Sequence, residues 1–323
     1  MKRVVFALVL LCSFQLPLAA EQITSGQVRE WLGRVTDAGK NLNYEGTFIY
    51  RHGNQIDAIR IIHKADEKGE HERMISLTGS AREIIRNNEF VTCISPENKS
   101  VVVDNHSPGS RLPSFTSDLE QLDAYYDFVF EGYERVASRE SRRVLIRPRD
   151  DFRYGYRLWI DDAFELLLRS ELLDTSGNSV EQVMFTDIKL HETLDDKLLE
   201  PNISGNEYTW VTDNENKQAD PMPLDKRWRV ANKPQGFMLS HHNKQKLPEN
   251  RMPVEHLVFT DGLAWVSVYI EKMGASPDLL QGASSMGAVN AYGRVTGEYH
   301  VTAVGEVPPV TVELLSGAVL HNK

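Results

Sequence analysis

The chain has 323 residues, a formal charge of −10, 25% charged and 41% hydrophobic residues, and two cysteines. An acidic balance of this size excludes a general nucleic-acid or anionic-membrane binder, so any basic site must be local. The length exceeds what one hydrophobic core usually holds and predicts two domains.

Lys2 and Arg3, the apolar stretch Val4 to Leu16 and the small residues Ala19 and Ala20 read as a secretory signal peptide cleaved after Ala20. The stretch is short of the roughly 20 residues that span a bilayer. A lipoprotein reading would place Cys12 at the cleavage point, but Leu11 before it is too large for that position. Loss of Lys2 and Arg3 takes the formal charge from −10 to −12, and Cys93 is left as a single cysteine, so no intramolecular disulfide forms. Its setting, EFVTCISPE, reads as a strand that buries an inert thiol.

Thr24 to Ala38 reads as a helix: Thr24 and Gln27 form a capping box, and Val28, Trp31, Leu32 and Val35 fall on one face. The period then changes to two. YEGTFIYR, IDAIRIIH, HERMISLT, AREIIRNN, EFVTCIS and KSVVVDN are strand candidates separated by turn residues. Ser117 with Glu120 suggests a second capped helix carrying Leu119, Leu122, Tyr125 and Tyr126. Strands resume at Tyr133 with RRVLIRPR, YGYRLWIDD, FELLLRSELLD and VEQVMFTDIKL, the last two joined by Thr-Ser-Gly-Asn. Without βαβ alternation the sheet is expected to be antiparallel, large and curved, with helices on its inner face. The polar run 212–224, TDNENKQADPMPL, is the linker candidate. Beyond it, GFMLSHHN, EHLVFTDG, AWVSVYIEK, NAYGRVTGEYHVTAVGE and TVELLSGAVL read as strands and Pro277 to Gln281 as a short helix.

Catalytic patterns are weak. Ser284 and Ser285 lie outside a G-x-S-x-G frame, and no H-E-x-x-H occurs. His241 and His242 are adjacent on a strand and point to opposite faces. Asp161-Asp162 and Asp195-Asp196 fit solvated turn carboxylates better than an acid–base pair. Two features stand out instead. Eight arginines between 135 and 157 face four acids, a local +4, and Arg143, Arg147 and Arg149 share a strand face if the strand runs through Pro148 without a bulge. Arginine suits bidentate recognition of carboxylate or phosphate, so these are candidates for a lipid phosphate or an acidic partner; the alternative is a solvated face that balances acids elsewhere. In NLNYEGTFIYRHGNQIDAIRIIHK both strand faces are partly apolar. Either helices cover one side or that side holds something apolar, and Phe48, Tyr50, Ile59 and Ile61 are the lipid-contact candidates.

NYEGTFIYRHG, ERMISLTGSAREIIR, RVASRESRRVLIRPRDDFRYGYRLWID, QGFMLS, FTDGLAWVSVYIE and TAVGEVP, in that order, resemble the MucB/RseB family over essentially the whole mature chain. One turn departs from the pattern: Ala163-Phe164-Glu165 stands where a small polar or glycine-containing turn is expected. The resemblance implies an α+β fold. Its large N-terminal domain (21–211) is a half-open antiparallel β-barrel with covering helices, like the periplasmic lipoprotein carriers, and a smaller mainly antiparallel α/β domain (225–323) follows the linker. It also implies a periplasmic negative regulator of the envelope-stress sigma factor, not an enzyme, needing no cofactor. Such a protein holds the periplasmic domain of a membrane-spanning anti-sigma factor, shields it from the site-1 protease, and is released by lipid or lipopolysaccharide fragments. A hinge at 212–224 would let the domains change their relation. Trp228, Phe237 and Trp265 are the aromatic anchor candidates for the partner, or else core. A second copy of the chain is left open as a further partner. The alternative functions are a lipid or lipoprotein carrier, supported by the same half-barrel, and a hydrolase, supported by no motif.

Overall fold

The computed structural model describes residues 23–88, 90–104, 119–202, 207–212, 224–225, 227–245, 253–273 and 279–321. The signal peptide, its cleavage point and Ser117 lie outside these residues, as does the linker candidate apart from Thr212 and Leu224. No described helix is long and apolar enough to cross a membrane.

Helix α1 (Ser25–Asn41) starts at the expected capping box, with the Thr24 side chain accepting from Gln27 N and the Gln27 side chain accepting from Thr24 N. It runs through Gly39 and is followed directly by β1 (Asn43–His52). Then come β2 (Gln55–Asp66), β3 (Gly69–Ser76), β4 (Glu83–Asn87), β5 (Phe90–Ser95) and β6 (Ser100–Asp104). The second expected helix is a short 3-10 helix, Leu119–Ala124, which buries Leu119 and Leu122. Strand β7 (Tyr126–Val136) begins earlier than the expected Tyr133, because Tyr126 and Phe128 are core residues and a bulge after Phe130 hides the alternation. Strands β8 (Arg139–Pro148), β9 (Gly155–Asp161), β10 (Leu167–Leu173), β11 (Ser179–His191) and β12 (Thr209–Thr212) complete a 12-stranded sheet in the order β12-β6-β5-β4-β3-β2-β1-β11-β10-β9-β8-β7. Every pairing is antiparallel except β12 with β6. The sheet is open and curled. Helix α1 touches both β7 and β2, which have five strands between them, and therefore lies inside the curl.

The smaller domain is a six-stranded antiparallel sheet, β14-β15-β16-β19-β18-β17, with helix α2 on one face. Its strands are β14 (Met238–Gln245), β15 (Val254–Thr260), β16 (Trp265–Lys272), β17 (Gly282–Met286), β18 (Val289–Thr296) and β19 (Tyr299–Gly305). Beside it β13 (Trp228–Val230) pairs with β20 (Val319–His321). TVELLSGAVL, expected as a strand, is helix α2 (Pro309–Gly317) followed by β20. Pro309 is preset for a first helical turn, and Val312, Leu315 and Ser316 are buried at helical spacing, which outweighs the β-like composition. The helix expected at Pro277 to Gln281 is absent over its described part, Leu279 to Gln281; the Leu280 carbonyl there lies 2.7 Å from His300 Nε2.

Three further expectations are corrected. Cys93 is half-buried, not buried. Asp161 is not a solvated turn acid: it is 1% exposed, pairs with Arg139 and accepts from the Ala163 and Phe164 amides at 2.9 and 2.8 Å. In that same turn Glu165 adopts φ +59, the left-handed conformation glycine normally supplies, and Arg34 Nε holds its carboxylate at 2.6 Å.

The seam between the two sheets is polar and buried. Arg153, fully buried, donates to Asp261 Oδ2 (2.7 Å), the Gln235 carbonyl (2.6 Å) and Asp150 Oδ1 (3.0 Å). Its guanidinium lies 4.9 Å from the Tyr125 ring centre and 5.1 Å from that of Phe237. Tyr126 Oη donates to the same Asp261 oxygen at 2.8 Å. Gly236 (φ +89) is required here, because a Cβ would lie 2.5 Å from the Tyr125 ring.

A second buried charge sits in the large sheet. Glu72 is 7% exposed, in register with His63, which stacks on Tyr44 at 4.9 Å; its Oε1 has no hydrogen-bond partner. Burial pushes the Glu72 carboxyl above the usual carboxylate range, against the opposing pull of Arg86 and His63.

Two predictions follow from these buried charges. Arg153→Ala strands the Asp261 carboxylate and is expected to cost about 3–5 kcal/mol in urea unfolding, whereas Arg153→Met with Asp261→Leu recovers most of it. A carboxyl whose folded pKa is raised costs stability that grows as pH rises from the ordinary carboxylate range toward the raised pKa and is complete above it, so Glu72→Gln should raise Tm by about 2–4 °C at pH 7.5. The gain should vanish at about pH 3, below the unfolded carboxylate range, where both states carry a proton; an equal gain at both pH values would show that ionisation is not its source.

Candidate functional site

Strand parity sorts the large sheet into two chemically different faces. On the inner face Phe48 stands opposite Ile59 and Phe185, and Gly46 opposite Ile61. Farther along, Leu158, Val144, Ile146 and Phe128 share this face and pack against Val28, Leu32 and Val35 of α1. Toward the Tyr50 and Asp57 ends of β1 and β2 the helix no longer covers it, and a cavity of about 180 Å³ opens there.

Ile59, Met74 and Ile84 supply its apolar lining, Tyr50 a further wall, and Asp57, Ser80 and Arg82 polar groups. The segment between β3 and β4 borders it and is tied down: Leu77 N donates to the Ala58 carbonyl at 2.8 Å, Ala58 N to Thr78 Oγ1 at 2.9 Å, and Ser76 N to the Arg82 carbonyl at 2.9 Å. Of the four lipid-contact candidates, Tyr50 and Ile59 line the cavity. Phe48 and Ile61, each 2% exposed, fill the core beside it and are not a free surface. Gly46 permits this packing, since a Cβ there would lie 2.6 Å from the Asp187 carbonyl oxygen and 3.2 Å from the Phe185 ring.

The arginines lie on the opposite face. Arg143, Trp159 and Arg169 form one row across β8, β9 and β10. Arg169 sits 4.0 Å over the Trp159 ring, whose Nε1 donates to Glu134 at 2.9 Å. This row borders a surface depression of about 420 Å³ whose charges balance: Arg143, Arg157 and Arg169 against Glu131, Glu134 and Glu171. Arg143 meets Glu131 at 3.2 Å and Glu134 at 3.1 Å. Arg147 and Arg149 converge on Asp127 at 3.0 and 2.8 Å, and their hydrogen bonds hold the Asp127 carboxyl below its ordinary range. The expected parity holds for Arg143 and Arg147, but β8 ends at Pro148 and Arg149 lies beyond it; the local +4 is largely neutralised by partners from β7 and β10. Arg143 and Arg147 and the cavity also occupy opposite faces of the sheet, so one small ligand cannot contact both.

The guanidinium beside the cavity is Arg82, which sequence reasoning passed over; among the described residues it makes no ion pair. The signal was present in SLTGSAR, a turn that returns a cation to the apolar face of its hairpin.

The anchor candidates separate similarly. Trp228 (6% exposed) packs on Tyr299 and His321, and Phe237 (0%) is core, so neither is available as a surface anchor. Trp265 is 51% exposed on the sheet face away from α2, in one row with Thr260 and Met238, which is 60% exposed. His242 lies 2.9 Å from Glu255, and no cluster able to hold a metal ion occurs among the described residues.

Comparison with known proteins bears on this arrangement. The MucB/RseB N-terminal domain matches residues 27–203 and the MucB/RseB C-terminal domain residues 223–319. The chain is 29% identical to the sigma-E factor regulatory protein RseB of Haemophilus influenzae, covering 91% of this chain and 90% of that one. It is 29% identical to the sigma factor AlgU regulatory protein MucB of Pseudomonas aeruginosa, covering 92% of each. Among solved structures, the Pseudomonas aeruginosa MucA/MucB complex matches with a TM-score of 0.72 and 27% identity, over 92% of this chain and 99% of that one. A crystal structure of MucB alone matches with a TM-score of 0.63 and 25% identity, over 92% of this chain and 98% of that one. These relatives are named as regulatory proteins, not as enzymes. The chain belongs to the MucB/RseB family.

Proposed function

We propose that this protein is a periplasmic negative regulator of a sigma factor: it holds the periplasmic domain of a membrane-spanning anti-sigma factor, shields it from site-1 proteolysis, and is released by lipid or lipopolysaccharide. The observation that carries the reading is the pairing of an amphipathic cavity, walled by Ile59, Met74 and Ile84 on one side and by Asp57, Ser80 and Arg82 on the other, and full-length likeness to a MucB solved with MucA. Acyl groups entering the Tyr50–Ile59 region are favoured by roughly 0.8 kcal/mol per buried methylene, and Arg82 is suited to a lipid phosphate. Trp265 and Met238 form the exposed apolar row for the partner. Arg147 and Arg149 serve at most an acidic stretch of the partner. We place the working parts at residues 21–211 and 225–323, with 212–224 between them as the hinge. The same cavity favours a lipid carrier as the second reading, distinguished by stoichiometric transfer of lipid between membranes.

The test is a titration of the mature protein with the periplasmic domain of its anti-sigma factor, with and without lipopolysaccharide. Tight binding that lipid abolishes is the expected result; lipid capture with no partner binding at micromolar concentration would put the carrier reading first. Arg82→Glu should weaken lipopolysaccharide binding about tenfold while partner affinity holds. Arg147→Glu with Arg149→Glu should leave lipid capture unchanged, and a loss of lipid binding there would relocate the phosphate site to the outer face.

A further inference from the structure

Tyr50 lines the cavity and also reaches out of it. Its hydroxyl donates to Glu181 Oε2 at 3.0 Å, and the other oxygen of that carboxylate accepts the Ala288 backbone N–H at 3.3 Å. Glu181 belongs to β11 of the large sheet, whereas Ala288 lies in the turn between β17 and β18 of the smaller domain. One carboxylate therefore joins the wall of the cavity to the other domain. The contact is close: at Gly287 (φ +62) a Cβ would lie 3.3 Å from Glu181 Oε1.

The turn is built to be held there. Ala288 is completely buried, clustered with Tyr154 and Leu172 of the large sheet. Asn290 fixes the turn: its amide nitrogen, with two N–H groups to donate, lies 3.0 Å from Tyr154 Oη, 2.8 Å from the Val307 carbonyl and 3.3 Å from the Ala288 carbonyl. A second acid lies nearby: burial and the Glu181 charge both push the Glu306 carboxyl above its usual range. Glu181 is thus a carboxylate at a domain seam, near another acid, and its two oxygens are engaged by one donor from each domain.

We infer that Glu181 couples occupancy of the Tyr50 cavity to the domain seam, so that a ligand offering an oxygen acceptor to the Tyr50 hydroxyl loosens the hold on the Ala288 turn. The inference rests on the lipid reading of the cavity given above and names the residues through which release is transmitted. A lipid carbonyl or phosphate oxygen that takes the Tyr50 proton leaves Glu181 with one donor fewer and its charge less compensated beside Glu306. The carboxylate then gains by turning to water, and the Ala288 N–H loses its partner. Arg153 and Asp261 hold the remainder of the seam through buried contacts that do not involve the cavity, so the response is local to the β17–β18 turn.

The measurement is amide hydrogen exchange at Ala288 in the full mature chain, with lipopolysaccharide as the probe and its capture followed in parallel. In the wild type, lipid should speed Ala288 exchange by about tenfold, the effect of one lost hydrogen bond to a charged acceptor. Glu181→Ala should exchange fast without lipid and show no further response, and because the coupling is reciprocal its lipid capture should strengthen by up to about tenfold, the Tyr50 hydroxyl being already free of Glu181. Glu181→Gln keeps an oxygen acceptor and should restore the slow exchange. Lipid capture with unchanged Ala288 exchange in the wild type, or an undiminished response in Glu181→Ala, would overturn the coupling while leaving the lipid reading intact. Absence of lipid capture by the wild type would overturn both.

Discussion

The strand period of two is the constraint on which the rest of the molecule depends. In the large sheet it delivers apolar side chains to one face and, over β7 to β10, alternating arginine and glutamate to the other. An apolar face of that extent has to be covered, and α1 covers the β7–β10 part and touches β2 but leaves the Tyr50 end open; Val28, Leu32 and Val35 are almost wholly buried against it. At the other end, aromatic packing of Tyr44, Phe48 and Phe185 fills most of the space, made possible by the missing side chain of Gly46. The remaining gap is the cavity at Tyr50. It follows from a helix shorter than the face it caps, and no dedicated catalytic or ligand motif is needed to explain it.

The seam uses a different principle. Arg153 and Asp261 are both buried with hydrogen bonds from several sides, so the pair resists piecemeal loss while contributing little net stability compared with an apolar contact of the same shape. What such a pair supplies is a defined relative placement of the two sheets. Glu181 lacks that protection: it is partly exposed, bonded through one oxygen to each domain, and faces Glu306. The seam therefore has a fixed part and an adjustable part, and the adjustable part is the one connected to the cavity.

Much of this was legible in residue patterns. The capping box of α1, the strands β1 to β5 and the parity of Arg143 with Arg147 are local properties, and local chemistry determines them. What was not legible depends on partners distant in the chain. Helix α2 reads as a strand because its β-branched residues match both periods until the smaller domain's sheet is known to lie beneath it. The arginine excess between 135 and 157 looks like free charge until Glu171 on β10 and the bulge that redirects Glu131 and Glu134 bring acids alongside. Asp161 resembles a solvated turn acid because its neighbours in sequence are polar, yet Arg139 and two amides enclose it. Arg82, Glu72 and Glu181 carry no motif, and each acquires meaning from the strand opposite.

The lining of the cavity bears on whether lipid could reverse a regulatory complex. Shifting a two-state balance from 99:1 to 1:99 requires about 5.5 kcal/mol of differential affinity. At roughly 0.8 kcal/mol per buried methylene, about seven would have to be taken up to supply that alone. The walls are polar at Asp57, Ser76, Thr78, Ser80 and Arg82 as well as apolar at Ile59, Met74 and Ile84, so polar contacts have to share the work. The full amount acts on the partner only if the cavity is unavailable to lipid while the partner is bound. That condition places the burden on the connection between cavity and seam: without it a lipid could bind equally well to both states and release nothing, however tightly it was held.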